Sequence, residues 1–186
     1  MSSNPRPCLA VNRSTLRWGV LAAIIALAGC GRREAPPTPG PTTRPPVSLP
    51  RPLSTTSYVA TAASIDLYDI RAGELAMERG NARSRNYAGQ LIADHRGTAA
   101  QLSFAGRRLN LLPASQMAPP HQAMIDALAS SGDFDSAFRR QQIDIHQSSQ
   151  RMHAAFAARA DSPTLRPVAS NAAAVEARHL DALRRL

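Results

Sequence analysis

The sequence predicts an all-α fold, an antiparallel bundle of four long helices with one short extra helix between the second and third. Three observations lead there. From Ser57 onward no segment alternates apolar and polar residues at period two, so half-buried strands are excluded. The same stretch holds 28 alanines, the residue with the strongest helix propensity. Apolar residues recur three and four apart over long runs, the spacing that puts them on one helical face.

The first helix is expected over 57–79, with Val59, Ala62, Ala63, Asp66, Ile70, Gly73 and Met77 as its inward stripe. Gly80-Asn81 ends it. A second follows over 82–110, with Ala88, Leu91, Ile92, His95, Ala99, Leu102, Gly106 and Leu109 on one face. Pro113, Pro119 and Pro120 break that pattern and make the next connection long. A short helix over 121–129 carries Met124, Ile125 and Leu128. Asp133 then caps a third long helix over 134–160, with Phe138, Ile145, Met152 and Phe156 inward. Asp161-Ser162-Pro163 opens a fourth to Leu186, which either kinks at Pro167 or begins there. Short links join the first pair and the last pair, as in an antiparallel bundle.

Ahead of the bundle, Arg6, Arg13 and Arg17 precede the apolar run Trp18 to Ala28, and Leu27-Ala28-Gly29-Cys30 follows. A basic start, a short apolar run and small residues make an export signal. The run is too short for a membrane-spanning helix, which needs about 20 residues. Leu-Ala-Gly-Cys resembles the bacterial lipoprotein signal, which implies that Cys30 is lipidated and becomes the first mature residue. The expected organisation is a signal peptide at 1–29, a lipidated cysteine with a linker at 30–56, and a helical domain at 57–186. Eight prolines between Cys30 and Ser57 favour an extended stalk. Cys8 lies in the segment to be removed, so the mature chain has no second cysteine for a disulfide or a zinc-thiolate site.

The net charge of +9 does not indicate a nucleic-acid partner. All 22 basic residues are arginines, and from Ser57 onward 15 arginines meet 12 acids. No basic helix with interleaved aromatics appears. With no lysine in the chain, Schiff-base chemistry is excluded, and no nucleophile stands with its base.

His95, His146 and His179 stand one on each of the last three long helices. His95 is about 13 residues past the first turn and Asp69 about 11 before it, so at about 1.5 Å rise per residue their heights differ by about 3 Å. His146 and His179 match similarly across the last turn. Four helices therefore offer Asp69, His95, His146 and His179 at similar depth, and Glu176 with His179 forms a Glu-x-x-His pair on one face. Such ligands suit iron, manganese, zinc or copper. A di-iron centre needs a second Glu-x-x-His pair, which neither the second nor the third helix supplies. Asp94 points about 100° away from His95 and is expected to bond a neighbour in the polar core. His121 and His153 are expected at the surface or behind the ligands.

The run Tyr58-Val59 through Asp69, Gly73, Leu75-Ala76 and Asp94-His95, followed by Gly132-Asp133-Phe134-Asp135, Phe138, His146, Pro163-x-Leu165-Arg166 and His179-Leu180, resembles the bacterial exported proteins grouped as domain-of-unknown-function family 4142. The resemblance covers 57–186. It implies a ferritin-like fold, a predicted outer-membrane or periplasmic location and no established activity. By position it places the family's recurring polar residues on Asp69, Asp94, His95, His146 and His179. The family usually has Glu at the position of Asp69, commonly Pro at that of Ala174, and an aliphatic residue at that of Glu176.

Two functions are compatible with this sequence. One is a non-catalytic, lipid-anchored envelope protein that acts structurally, in stress tolerance or through an envelope protein partner. The other is a metal-binding or metal-dependent redox protein using Asp69, His95, His146, Glu176 and His179. Gly31, rather than Asp, after the lipidated position implies the outer membrane, facing the periplasm, by resemblance to the sorting rules of enteric bacteria.

Overall fold

The computed structural model describes residues 53–186, which form five helices and no strands. The signal peptide, Cys30 and nearly all of the proline-rich linker expected from the sequence lie outside the described residues. No helix among the described residues is long and apolar enough to cross a membrane.

The helix starts follow from side chains that satisfy otherwise unpaired backbone N–H groups. Helix α1 (Thr55–Arg79) starts where the Ser54 side chain accepts from the Ser57 N–H. Helix α2 (Ala82–Arg107) starts where Asn81 accepts from Arg83 and Ser84. Helix α3 (Pro119–Ala129) has its prolines in the first turn, where a missing N–H costs nothing. Asp133 caps α4 (Phe134–Arg159) by accepting from Ser136. Helix α5 (Arg166–Leu183) resolves the ambiguity around Pro163: residues 163–165 form a turn, and Pro167 sits in the first turn of the helix. The chain thus takes the later of the two expected starts, and no kink is needed.

The closest packing joins α1 to α2 and α4 to α5, with α2 against α5 and α1 against α4. Residues 108–118 and α3 form the long crossover, with α3 lying on α1 and α4. His121 Nδ1 and the Ala118 N–H both bond Ser64 Oγ of α1, at 2.6 and 2.7 Å. Arg79 donates to the Ser131 carbonyl at 2.8 Å and so holds the far end of α3 beside the end of α1. The crossover returns the chain to the same end, where Asp135 of α4 accepts from the Asn81 N–H and the Ser84 hydroxyl. Each of the four long helices is consequently antiparallel to the long helices it packs on, in a ferritin-like four-helix bundle with one added helix.

Two apolar layers fill the bundle. One includes Tyr68, Leu75, Leu91, Leu128, Phe138 and Leu183. The other includes Tyr58, Val59, Leu102, Phe156, Leu165 and Ala169. Residues of intermediate position along the helices supply a buried polar layer: Asp66, Asp69, His95, Thr98, Gln142, His146, Ser149, His153, Glu176 and His179.

Gly106 closes α2, accepting from the Leu109 and Leu111 N–H groups. A side chain there would run into the Leu111 carbonyl oxygen, which the turn at Asn110, in the left-handed region at φ 55°, brings back over the helix. Gly106→Ala is therefore expected to destabilise the domain by about 1–3 kcal/mol, the usual cost of overpacking. Urea unfolding checks this, with Gly89→Ala, where the surrounding space is open, as the tolerated comparison.

Candidate metal centre

Burying ten polar residues between two apolar layers costs free energy unless each finds a partner. Much of the polar layer is satisfied in a way that fixes which atoms are left over. His95 donates from Nδ1 to Asp66 Oδ1 at 3.0 Å, and the Thr98 hydroxyl donates to the same oxygen at 2.6 Å. His146 Nδ1 lies 2.8 Å from the Gln142 carbonyl oxygen one turn earlier. A carbonyl can only accept, so the proton of neutral His146 is on Nδ1 and Nε2 carries a bare lone pair. Gln142 donates from its side chain to Asp69 Oδ1 at 3.1 Å, leaving Oδ2 free.

The atoms left over share the buried polar layer. Asp69 Oδ2, His95 Nε2, His146 Nε2, Glu176 Oε2 and His179 Nε2 are all buried and all lack a hydrogen-bond partner. His95 Nε2 lies 3.5 Å from Asp69 Oδ2, and His146 Nε2 lies 3.5 Å from Glu176 Oε2. Ligand atoms of His95, His146 and His179 lie within 4.8 Å of one another, as do those of Asp69, His95 and Glu176. The imidazole rings of His95 and His146 are 5.6 Å apart, and those of His146 and His179 5.1 Å. All four long helices contribute, so the centre depends on the whole bundle.

Electrostatics shows what this arrangement costs without a cation. Burial pushes the Glu176 carboxyl up to about 8, the strongest pull back down coming from His95. Burial likewise raises Asp69, to about 6. For His95 burial acts downward, but the Asp69 charge and the bond to Asp66 outweigh it and hold the group up at about 9. Burial pushes His179 and His153 down to about 4 and His146 well below the usual histidine range, with the charge of His95 acting in the same direction. In the metal-free chain, protons on His95 and Glu176 thus do the charge balancing.

The donor set fits a metal ion. Zinc-type ligand bonds run at about 2.0–2.2 Å, which puts neighbouring ligand atoms about 3.0–3.5 Å apart around an octahedral or tetrahedral ion; the two 3.5 Å pairs match the tetrahedral end. The Asp66 and Gln142 contacts orient His95, Asp69 and His146 as outer partners orient metal ligands.

Every residue singled out in the domain as a candidate ligand thus lies in one buried cluster, with one carboxylate beside it. Asp94 Oδ2 is 3.3 Å from His179 Nε2 and 3.8 Å from Arg178. The sequence reading missed Asp66 and Gln142 as orienting groups. Of the two positions expected for His153, the structure takes the one behind the ligands: it is buried, its Nδ1 is 2.9 Å from the Tyr58 hydroxyl, and its Nε2 is 3.7 Å from Glu176 Oε1. A signal for it existed, since His153 lies seven residues after His146 and so on the same helical face. His121, by contrast, is partly exposed beside Ser64.

Several solved structures share the fold at low sequence identity. CopM in the Cu(II)-bound form aligns with a TM-score of 0.62 at 18% identity, over 73% of this chain and 96% of that one. CopM in the apo form gives 0.60 at 17%, over 72% and 95%. A DUF305 fragment from Deinococcus radiodurans gives 0.62 at 15%, over 73% and 97%. No curated protein matches the sequence. The model of the domain of unknown function DUF4142 matches residues 40–186, and the chain belongs to that family.

Proposed function

We propose that this protein holds one divalent first-row transition-metal ion in the polar layer of its bundle, within the cluster of Asp69, His95, His146, Glu176 and His179, whose ligand atoms form two triads that share His95. The observation that carries this reading is the set of five buried, unpartnered side-chain atoms from four helices, grouped in two triads that share His95. Three imidazoles and two carboxylates are borderline-to-hard donors without sulfur, which favours a divalent ion over soft Cu(I) or Ag(I). Among such ions Cu(II) binds most tightly to a given nitrogen and oxygen set, and a protein of this fold has been solved with Cu(II) bound. Two carboxylates and three neutral imidazoles neutralise the ion's charge, so the filled centre suits an apolar bundle.

The same proposal places the domain in the cell envelope, anchored through lipidated Cys30 in the outer membrane and facing the periplasm. Its support is the sequence alone: the signal, Leu27 to Cys30, Gly31 and the proline-rich stalk. Labelled palmitate is expected to enter the wild-type chain and not Cys30→Ser; equal labelling of both contradicts the anchor.

Metal analysis of the exported chain tests the site. About one ion per chain is expected, falling to background in His95→Ala/His146→Ala. Equal trace metal in both would sink the reading.

Binding must also expel the protons that balance the metal-free cluster. Glu176, held up at about 8, and His95, at about 9, are both protonated at pH 7, so roughly two protons are released per ion there. Apparent affinity is expected to rise with pH until about 9 and to fall steadily toward acid. Calorimetry in buffers of different ionisation enthalpy reads the proton count, and a pH-independent affinity between 6 and 8 contradicts it.

A further inference from the structure

The cluster is enclosed on most sides. His95 and His146 are almost fully buried, and the apolar layers close the bundle above and below them. One surface cleft nevertheless reaches the cluster. It lies between α2 and α5, has a volume of about 670 Å³, and includes His179, Asp94 and Tyr87 among its lining residues. None of four other clefts on the described surface is lined by a residue of the cluster.

The chemistry of this cleft is one-sided. Three of its lining side chains are arginines, Arg83, Arg178 and Arg185, and one, Asp94, is a carboxylate; Leu186 lines it as well. Arg178 is 3.8 Å from Asp94, and Arg83 reaches the Leu186 main-chain oxygen at 3.4 Å, which leaves both guanidinium groups with further N–H donors. Deeper in, the Tyr87 hydroxyl is buried with no hydrogen-bond partner, as is His179 Nε2. The Tyr87 ring meets the His179 ring edge-on at 5.6 Å. The deeper residues therefore bring an unused hydroxyl donor beside one candidate ligand, under an arginine-rich rim.

We propose that this cleft is the route by which a small anion reaches the metal centre, the arginines drawing it in and Tyr87 donating to it beside His179. The proposal rests on the metal reading above and adds the class of exogenous ligand. A divalent ion and the cluster's two carboxylates sum to no net charge, so a bound monoanion leaves the buried centre at −1, and the arginines of the rim supply the counter-charge. Positive rims of this kind raise the local concentration of anions and lose the effect as salt screens them.

The test uses the Cu(II)-loaded full chain with azide as the probe anion, followed by the azide-to-copper absorption band, and metal content is measured on every sample. Wild type is expected to hold about one copper and to give a saturable band. In Arg83→Gln/Arg178→Gln/Arg185→Gln, copper content is unchanged, while the azide dissociation constant rises at least about fivefold at low salt and converges on wild type near 0.5 M salt. Tyr87→Phe weakens azide at both salt levels. A control of equal charge change on exposed arginines elsewhere, Arg107→Gln/Arg140→Gln/Arg151→Gln, stays within about twofold of wild type. Equal azide affinity in the cleft variant and wild type, or equal weakening in the control, overturns the proposal. Copper held at one per chain with no azide band overturns it alone. Failure of the wild type to hold copper overturns the metal reading and this proposal with it.

Discussion

Loading the metal-free chain with Cu(II) is expected to raise its thermal midpoint by about 10 °C, and Asp69→Ala/His95→Ala is expected to abolish the rise. An ion bound only by the folded state stabilises it by about 2.7 kcal/mol at a free concentration of 100 times the dissociation constant. For a domain of this size each kcal/mol moves the midpoint by roughly 3–5 °C. The ligands come from α1, α2, α4 and α5, so no preformed site survives unfolding and the whole binding energy is linked to the bundle. Scanning calorimetry at matched metal excess checks it. A shift below about 2 °C, or one retained by the double variant, contradicts a site built on these residues.

Glu176→Gln is expected to have opposite effects on the metal-free and metal-loaded chains. In the metal-free protein Glu176 is held up at about 8, mainly by burial, well above the unfolded range. A carboxyl raised in the folded state binds its proton more tightly there, so its contribution to stability falls as pH rises from about 4.5 to about 8 and is flat above that. The uncharged amide escapes that loss. At pH 8 metal-free Glu176→Gln is expected to exceed wild type by on the order of 2–3 kcal/mol, and near pH 4.5 the two should be similar. With metal the order reverses, since one anionic ligand and its 3.5 Å approach to His146 are gone. Urea titrations at the two pH values, with and without metal, read all four comparisons. A variant less stable than wild type in metal-free form at pH 8 contradicts this account.

Why such a penalty exists also explains what could be read from the sequence. Helix rise and turn position are local properties, so the matching depths of Asp69, His95, His146 and His179 were legible from residue numbers and a fixed rise. The bundle was equally legible, because the stop at Gly80-Asn81, the cap at Asp133 and the alanine-rich stripes act within a few residues. Partner choice was not. Glu176 and His179 read as a pair on one face, yet Glu176 approaches His146 and His179 approaches Asp94, since facing helices decide which side chains meet. Gln142 looked like an ordinary polar position, and only the geometry shows its carbonyl fixing the His146 tautomer while its amide holds Asp69. Asp66 stood inside the apolar stripe of α1 without explanation until His95 and Thr98 were seen to bond it.

The most direct test of the central claim is an anomalous-scattering map from crystals of the Cu(II)-loaded chain, recorded at the copper edge. The account predicts one strong peak per chain, inside the buried cluster of Asp69, His95, His146, Glu176 and His179 and in contact with His95 Nε2. A peak confined to surface histidine or terminal groups, or an empty bundle at full copper excess, would contradict it.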